Sequence, residues 1–134
     1  TFIGSGLFDM GLARLMPVGL ATDTGGGSSF SMLRTMAAAY EIAQLRGQAL
    51  HPSELLWLAT SGSARALRLG ERIGRLAPGI EADLVVLDLA STPAIAQRAD
   101  QAEDIWQALF PTIMLGDDRA VAQVYVAGRA VKDV

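Results

Sequence analysis

The stretch ATDTGGGSSFSM, residues 21–32, places a single carboxylate, Asp23, between two threonines and shortly before three consecutive glycines. Glycine reaches backbone conformations that are closed to other residues, and it weakens any regular element that it interrupts. Such a loop is typical of a tight turn, of a place where the backbone approaches a ligand, or of both. The preceding run PVGLA, residues 17–21, is apolar without polar alternation, which predicts a strand buried on both faces of a parallel or barrel sheet.

Helices are predicted on both sides of this loop. Residues 31–47 are rich in good helix formers, with serines as candidate caps at their start and Gly47 as a natural stop. Residues 51–69 carry an apolar stripe at helical spacing and predict a second helix, which Gly62 divides into two pieces. A short helix over residues 11–16 is predicted before the loop.

After residue 70 the pattern becomes mostly β. A β-type run covers residues 82–89, and a helix is predicted around residues 102–110. Residues 119–134 alternate apolar and polar side chains and turn at Gly128, which predicts a hairpin.

Composition and charge exclude several classes of function. The chain has 134 residues, a net charge of -3 and 11 scattered Lys and Arg residues, so no basic patch is available for a nucleic-acid backbone. No apolar run reaches the roughly 20 residues of a membrane span, and the first residues lack a signal-peptide pattern. Cysteine is absent, which excludes disulfides and thiolate metal sites. The sequence predicts a cytoplasmic protein that binds neither nucleic acid nor membrane.

Two interpretations of Asp23 follow from its position alone. The carboxyl ends of strands hold ligands and catalytic residues in α/β folds, but Asp is also common in helix caps and turns. The glycines are not a phosphate loop, because neither GxGxxG nor GxxxxGK[ST] is present. His51, the only histidine, is interpreted as a solvated loop residue rather than a metal ligand. A triad of Ser28, His51 and Asp23 is set aside, because no GxSxG nucleophile elbow accompanies it.

The other charged groups are interpreted as structural. Residues 71–75 predict a solvated charged turn, and Asp83 and Asp88 are expected to cap or bound the strand between them. An internal ion pair is predicted in the turn at residues 117–119, where two Asp residues precede an Arg.

Four blocks of the sequence resemble the C-terminal third of bacterial guanine deaminases, which belong to the amidohydrolase superfamily. They are GSGLFDM at 4–10, ATDTGGGSSFSMLRTM at 21–36, LATSGSARALRLGERIGRLAPGIEADLVVLD at 58–88, and LGDDRAVAQVYVAGRAV at 115–131. The third block is shared by many superfamily members, whereas the second and fourth point more narrowly to guanine deaminase. The resemblance covers nearly the whole chain apart from residues 91–107.

The resemblance implies an α/β fold, namely a C-terminal fragment of an amidohydrolase (β/α)8 TIM barrel with the C-terminal strands of a small β-sandwich. Residues 1–70 would form the last βα units of the metal-dependent hydrolase barrel. Residues 71–134 would form the sandwich segment with an intervening helix. The implied activity is the hydrolysis of guanine to xanthine and ammonia in purine catabolism.

By the same resemblance, Asp23 matches the carboxylate at the end of barrel strand 8, which binds the metal and takes the proton from the attacking water. The implied cofactor is Zn²⁺, with another divalent metal as the alternative. The family's His-x-His pair, its further His and its catalytic Glu are not found here, so the chain alone is expected to be inactive. The expected partners are guanine and either a second copy or the rest of the barrel.

Two other functions remain open. One is a different amidohydrolase, acting on another aminated heterocycle or on a chlorinated triazine, although the LGDDR segment at 115–119 argues against it. The other is a non-catalytic domain that dimerises through hydrophobic surface, since 51% of the residues are hydrophobic.

Overall fold

Helices and a small antiparallel sheet make up residues 9–132, which are the residues that the computed structural model describes. The helices are α1 Met10–Ala13, α2 Met32–Leu45, α3 Pro52–Ala59, α4 Ser61–Ala66, α5 Pro93–Ala99 and α6 Ile105–Leu115. The strands are β1 Leu84–Leu87, β2 Val121–Val126 and β3 Arg129–Ala130, and a 3-10 helix, Asp118–Ala120, leads into β2. Most of the quoted block at 4–10 lies outside the described residues.

Helix α2 confirms the prediction for residues 31–47, because both of its ends use the expected residues. The Ser31 hydroxyl accepts a hydrogen bond from the Arg34 backbone N–H, and Gly47 follows the helix with a φ of 70°. A left-handed residue after the last turn is the usual helix stop.

The second predicted helix is divided, but not at Gly62. Helix α3 ends at Ala59, the next residue Thr60 has φ and ψ of -125° and -95°, and α4 begins at Ser61. Gly62 lies inside α4, where a Cβ would come within 2.9 Å of the Trp57 ring. The glycine therefore permits close packing at this corner and does not break the helix.

The core is formed by α2, α3 and α6. Leu55 and Leu58 of α3 and Ile113 of α6 are almost fully buried in it, together with Met36 of α2. Helix α5 packs on α6 through the buried Ile95. Elements from both sides of residue 70 thus contribute to one hydrophobic cluster, while the division into domains at that residue stays a prediction.

Two helices differ from the sequence prediction. Helix α5 was not predicted, although Thr92 caps it and Pro93 occupies its first turn, a pairing typical of a helix start. Helix α6 begins three residues later than the predicted 102–110 and continues through Pro111 to Leu115. Proline inside a helix costs about 3 kcal/mol, so burial of this face against the core must offset it.

The predicted hairpin is confirmed. Strands β1, β2 and β3 are antiparallel in that order, and β2 turns into β3 at Ala127 and Gly128. Both turn residues have positive φ, 49° and 77°, as a two-residue type I′ hairpin turn requires. Strand β1 is shorter than the predicted run 82–89 and has an irregularity between Val86 and Leu87.

The predicted strand at residues 17–21 is not observed. The backbone N–H of Leu20 donates to the carbonyl of Leu58 at 3.0 Å, at the end of α3, and not to a neighbouring strand. A ladder needs a second extended segment alongside, and the described residues provide none here. Within residues 9–132, no helix is long and apolar enough to cross a membrane.

Candidate functional site

Asp23 lies at the end of the apolar segment, where the backbone reverses towards α2. Its φ is 51°, in the left-handed region that is uncommon outside glycine but that Asp tolerates better than most residues. Its carbonyl accepts the backbone N–H groups of Gly26, at 3.0 Å, and of Gly27, at 2.5 Å. The loop therefore folds back onto Asp23 as a closed turn.

The three glycines each serve a different purpose in this turn. Gly25 has a φ of 101°, a conformation that residues with a side chain rarely adopt. A Cβ on Gly26 would come within 2.8 Å of the Asp23 carboxylate, and a Cβ on Gly27 would lie 1.7 Å from the Thr22 carbonyl oxygen. Any side chain at these two positions would displace either the carboxylate or the backbone that carries it.

The Asp23 carboxylate is exposed and has no partner among the described residues: it accepts no hydrogen bond from them and forms no ion pair with them. The flanking Thr22 and Thr24 hydroxyls are 3.1 Å apart and bond to each other instead. The cap of α2 is Ser31, so the side chain of Asp23 does not cap that helix. Asp23 thus serves the turn through its backbone and leaves its carboxylate available to a ligand.

A metal site needs more than this one carboxylate. Carboxylate oxygen is a suitable ligand for zinc, but catalytic zinc sites use about three protein ligands. Within residues 9–132, no group of three or more His, Cys, Asp and Glu side chains is placed to hold a metal ion. Asp23 therefore fits one position of such a site, and the described residues do not supply the others.

His51 does not join Asp23. It precedes α3, where its Nδ1 is 2.7 Å from the Ser53 hydroxyl and accepts the Ser53 backbone N–H, while Glu54 accepts the backbone N–H of His51. The residue is exposed, and no hydrogen bond joins it to Ser28 or Asp23. His51 is therefore a helix-capping residue in a solvated position, and the triad with Ser28 and Asp23 is not formed.

The predicted ion pair at residues 117–119 is confirmed. The guanidinium of Arg119 binds both carboxylate oxygens of Asp117, with a shortest distance of 2.6 Å. These side-chain hydrogen bonds, with one from the Arg119 backbone N–H, lower the pKa of Asp117 to about 2. The side-chain bonds and the charge of Asp117 raise the pKa of Arg119. The pair closes the turn before β2 and has no contact with Asp23.

Other acidic residues hold the fold in place. Asp83 accepts the backbone N–H of Ala127 in the hairpin turn, and Asp88 accepts that of Ala90 after β1, so both bound the strand as predicted. Asp9, which the sequence did not single out, caps α1 and pairs with Arg46 at 2.8 Å. Its pKa is lowered, first by a hydrogen bond from Gln48.

Sequence reasoning also missed Ser63. Its hydroxyl lies beside the carbonyl oxygens of both Leu20 and Leu58, which are far apart in sequence. Ser63 lies in the block at 58–88, but that motif does not indicate its contacts, because they depend on two segments meeting in space.

Comparison with known proteins assigns this arrangement to a family. Residues 6–131 match the model of the amidohydrolase family. The chain is 42% identical over 132 residues to guanine deaminase of Escherichia coli, covering 97% of this chain and 30% of that protein. It is 38% identical over 134 residues to the probable guanine deaminase of Deinococcus radiodurans, covering 96% and 30%. The chain therefore spans about a third of the length of these relatives.

Solved structures agree on the fold. E. coli guanine deaminase superimposes with a TM-score of 0.93 and 41% identity, covering 99% of this chain and 32% of that one. An adenosine deaminase from Xanthomonas campestris with bound zinc gives a TM-score of 0.61 and 27% identity, covering 78% and 23%. The predicted fold class, part of an amidohydrolase, is confirmed.

Proposed function

Because the chain belongs to the amidohydrolase family, we propose that it is part of a guanine deaminase, which hydrolyses guanine to xanthine and ammonia. The observation that carries this proposal is the free carboxylate of Asp23, held by a glycine turn in a chain that matches guanine deaminases over almost its full length. One water is consumed, its oxygen replaces the amino group on the ring carbon, and that group leaves as ammonia.

In this proposal Asp23 is both the metal ligand and the group that accepts the proton of the attacking water. A zinc ion, when bound, would bring the pKa of a water molecule towards neutrality, and another divalent metal is the alternative. The Asp23 carboxylate suits proton transfer, because no internal hydrogen bond competes for its oxygens. The turn through Gly26 and Gly27 holds the backbone of Asp23 in one conformation, so the main chain that carries the carboxylate does not have to be ordered when substrate binds.

Within residues 9–132 no group of side chains is placed to hold a metal ion, and the whole sequence has one histidine, so we expect the 134-residue chain to be inactive by itself. The missing part would be supplied by the rest of the barrel, on the same polypeptide or on an associated one. Assembly with a second copy and a cytoplasmic location stay predictions.

The proposal is tested with a chimera, namely E. coli guanine deaminase whose matching segment is replaced by this chain. We expect the purified chimera, loaded with zinc, to convert guanine to xanthine with release of ammonia, and the chain alone to do neither. A chimera that folds and binds zinc but leaves guanine unchanged would contradict the proposal. Activity of the purified chain, free of any longer homologue, would contradict the expectation that it is inactive alone.

The two other functions are separated by further assays on the same proteins. A different amidohydrolase activity would appear as turnover of another aminated or chlorinated heterocycle in preference to guanine. A non-catalytic dimerising domain would appear as a metal-free oligomer of the chain in size measurement, with an inactive chimera.

A further inference from the structure

The segment that carries Asp23 is tied to the helical core three residues earlier. Leu20 is buried, and its backbone N–H donates to the Leu58 carbonyl at 3.0 Å. The Ser63 hydroxyl lies 3.1 Å from the Leu20 carbonyl oxygen and 2.8 Å from that of Leu58. The hydroxyl has a single proton, which these two carbonyl oxygens share, so one side chain of α4 bridges the Asp23 segment and the end of α3.

The contact leaves no free space. A Cβ on Gly19 would come within 2.2 Å of the Ser63 hydroxyl oxygen and 2.4 Å of the Ser63 Cα. The backbone at Gly19 thus lies directly against Ser63, so that the start of α4 sets how far the segment stands from the helices.

This contact matters for Asp23 because its carboxylate has no partner of its own among the described residues. The described residues can therefore place the carboxylate only through the backbone that carries it. On one side that backbone is held by the turn through Gly26 and Gly27, and on the other by the Leu20 contact.

We propose that Ser63 is a positioning residue for Asp23, which it places by holding the Leu20 carbonyl against the α3–α4 corner. The inference rests on the proposed function of Asp23. Within residues 9–132, the Leu20 carbonyl accepts no hydrogen bond other than that of Ser63. Removing the hydroxyl leaves this carbonyl unpartnered beside a buried side chain, which favours local opening of the segment.

Ser61 provides a matched control on the same helix. Its hydroxyl donates to the Gly74 carbonyl at 2.6 Å and so ties α4 to the loop before β1, not to the Asp23 segment. Both Ser61→Ala and Ser63→Ala remove a hydroxyl that bonds to carbonyl oxygen, to one carbonyl at Ser61 and to two at Ser63.

The first test is amide hydrogen exchange on the chain itself. We expect Ser63→Ala to speed exchange at Leu20, Gly26 and Gly27 by about tenfold, the loss of roughly one buried hydrogen bond. Ser61→Ala is expected to leave these three amides unchanged. Unchanged exchange in Ser63→Ala, or equal acceleration by both variants, would overturn the inference. If Ser63→Ala loses its helical circular dichroism, Ser63→Cys replaces it in the same comparison and is judged by the same outcomes.

The second test measures steady-state kinetics in the chimera. We expect Ser63→Ala to lower kcat about tenfold with the KM for guanine unchanged, because a displaced carboxylate affects the reaction more than binding. Ser61→Ala should keep both constants. Equal losses in the two variants would mean that Ser63 acts on stability alone. If the unmutated chimera is inactive, the proposed function fails, while the exchange measurement still decides whether Ser63 holds the segment.

Discussion

Two turns in this molecule contain a non-glycine residue with positive φ, but the Asp side chain associated with each turn has a different role. Asp23 and Ala127 are both non-glycine residues in the left-handed region, with φ of 51° and 49°, and a glycine lies one or two residues after each of them. In the hairpin turn, the Ala127 N–H is bound by the carboxylate of Asp83, and the Gly128 N–H donates to the Ala82 carbonyl. In the glycine loop, the Asp23 carbonyl accepts the N–H groups of Gly26 and Gly27, while the carboxylate of Asp23 has no partner among the described residues.

The difference shows how a structural Asp is told from a candidate site residue. The carboxylate of Asp83 binds the Ala127 N–H in the hairpin turn, so removal of this side chain should destabilise the fold. A carboxylate without a partner does not by itself mark a site, since the exposed carboxylate of Asp100 also has none among the described residues. Asp23 differs from Asp100 because two glycines leave space specifically for its carboxylate and its backbone. Local strain in such a loop is accepted where it positions a functional group.

The largest expected effect separates Asp23 from Asp83. In the chimera, Asp23→Asn should lower kcat/KM for guanine by about 100-fold or more, because an amide neither accepts the proton nor provides an anionic metal ligand. Asp83→Asn keeps an oxygen that can accept the Ala127 N–H, so its kcat/KM should stay close to that of the unmutated chimera. Steady-state kinetics with thermal unfolding as a control measures both. Equal losses in the two variants would remove the distinction between the turns.

A second, smaller effect on kcat is expected to distinguish Gly27 from Gly25 in the loop after Asp23. Gly27→Ala places a methyl group 1.7 Å from the Thr22 carbonyl, so the backbone next to Asp23 must shift, at a cost of about 1 to 3 kcal/mol. Gly25→Ala meets nothing within 4 Å and carries only the strain of its positive φ. We expect both to destabilise the chain in urea unfolding, but only Gly27→Ala to reduce kcat in the chimera as well. A larger kcat loss in Gly25→Ala would show that backbone conformation, not contact, places the carboxylate.

Much of the local structure could be predicted from the sequence. Ser31 and Gly47 bound α2, residues 127–128 form the hairpin turn, and Asp117 pairs with Arg119, because each of these features depends on residues a few positions apart. The family and the candidate role of Asp23 were predicted from the resemblance of the blocks at 21–36 and 115–131 to guanine deaminases. The position of Asp23 alone left it as either a cap or a site residue.

What could not be predicted depends on contacts between distant segments. At the corner between α3 and α4, Gly62 packs closely on the Trp57 ring. Helix α6 continues through Pro111 because burial of this face offsets the lost backbone hydrogen bond. The segment at 17–21 forms no strand because the described residues place no extended segment beside it, and the Leu20 N–H donates to the end of a helix instead. The contact of Ser63 with Leu20 was not predicted for the same reason, because the two residues are 43 positions apart.

The smallest expected effect concerns Asp117, a carboxylate that the fold uses as fully as Asp83. Its pKa of about 2 is below the usual 3.8, so the Arg119 pair stabilises the chain above about pH 4, and this contribution is lost as the pH falls towards 2. Asp117→Asn should therefore be less stable than the unmutated chain in urea near neutral pH, and the gap should narrow on acidification. The difference in stability between Arg119→Gln and the unmutated chain should narrow on acidification in the same way. The double variant should be little less stable than either single variant. A gap independent of pH would mean that the pair contributes through hydrogen bonds to the backbone and not through the charge of Asp117.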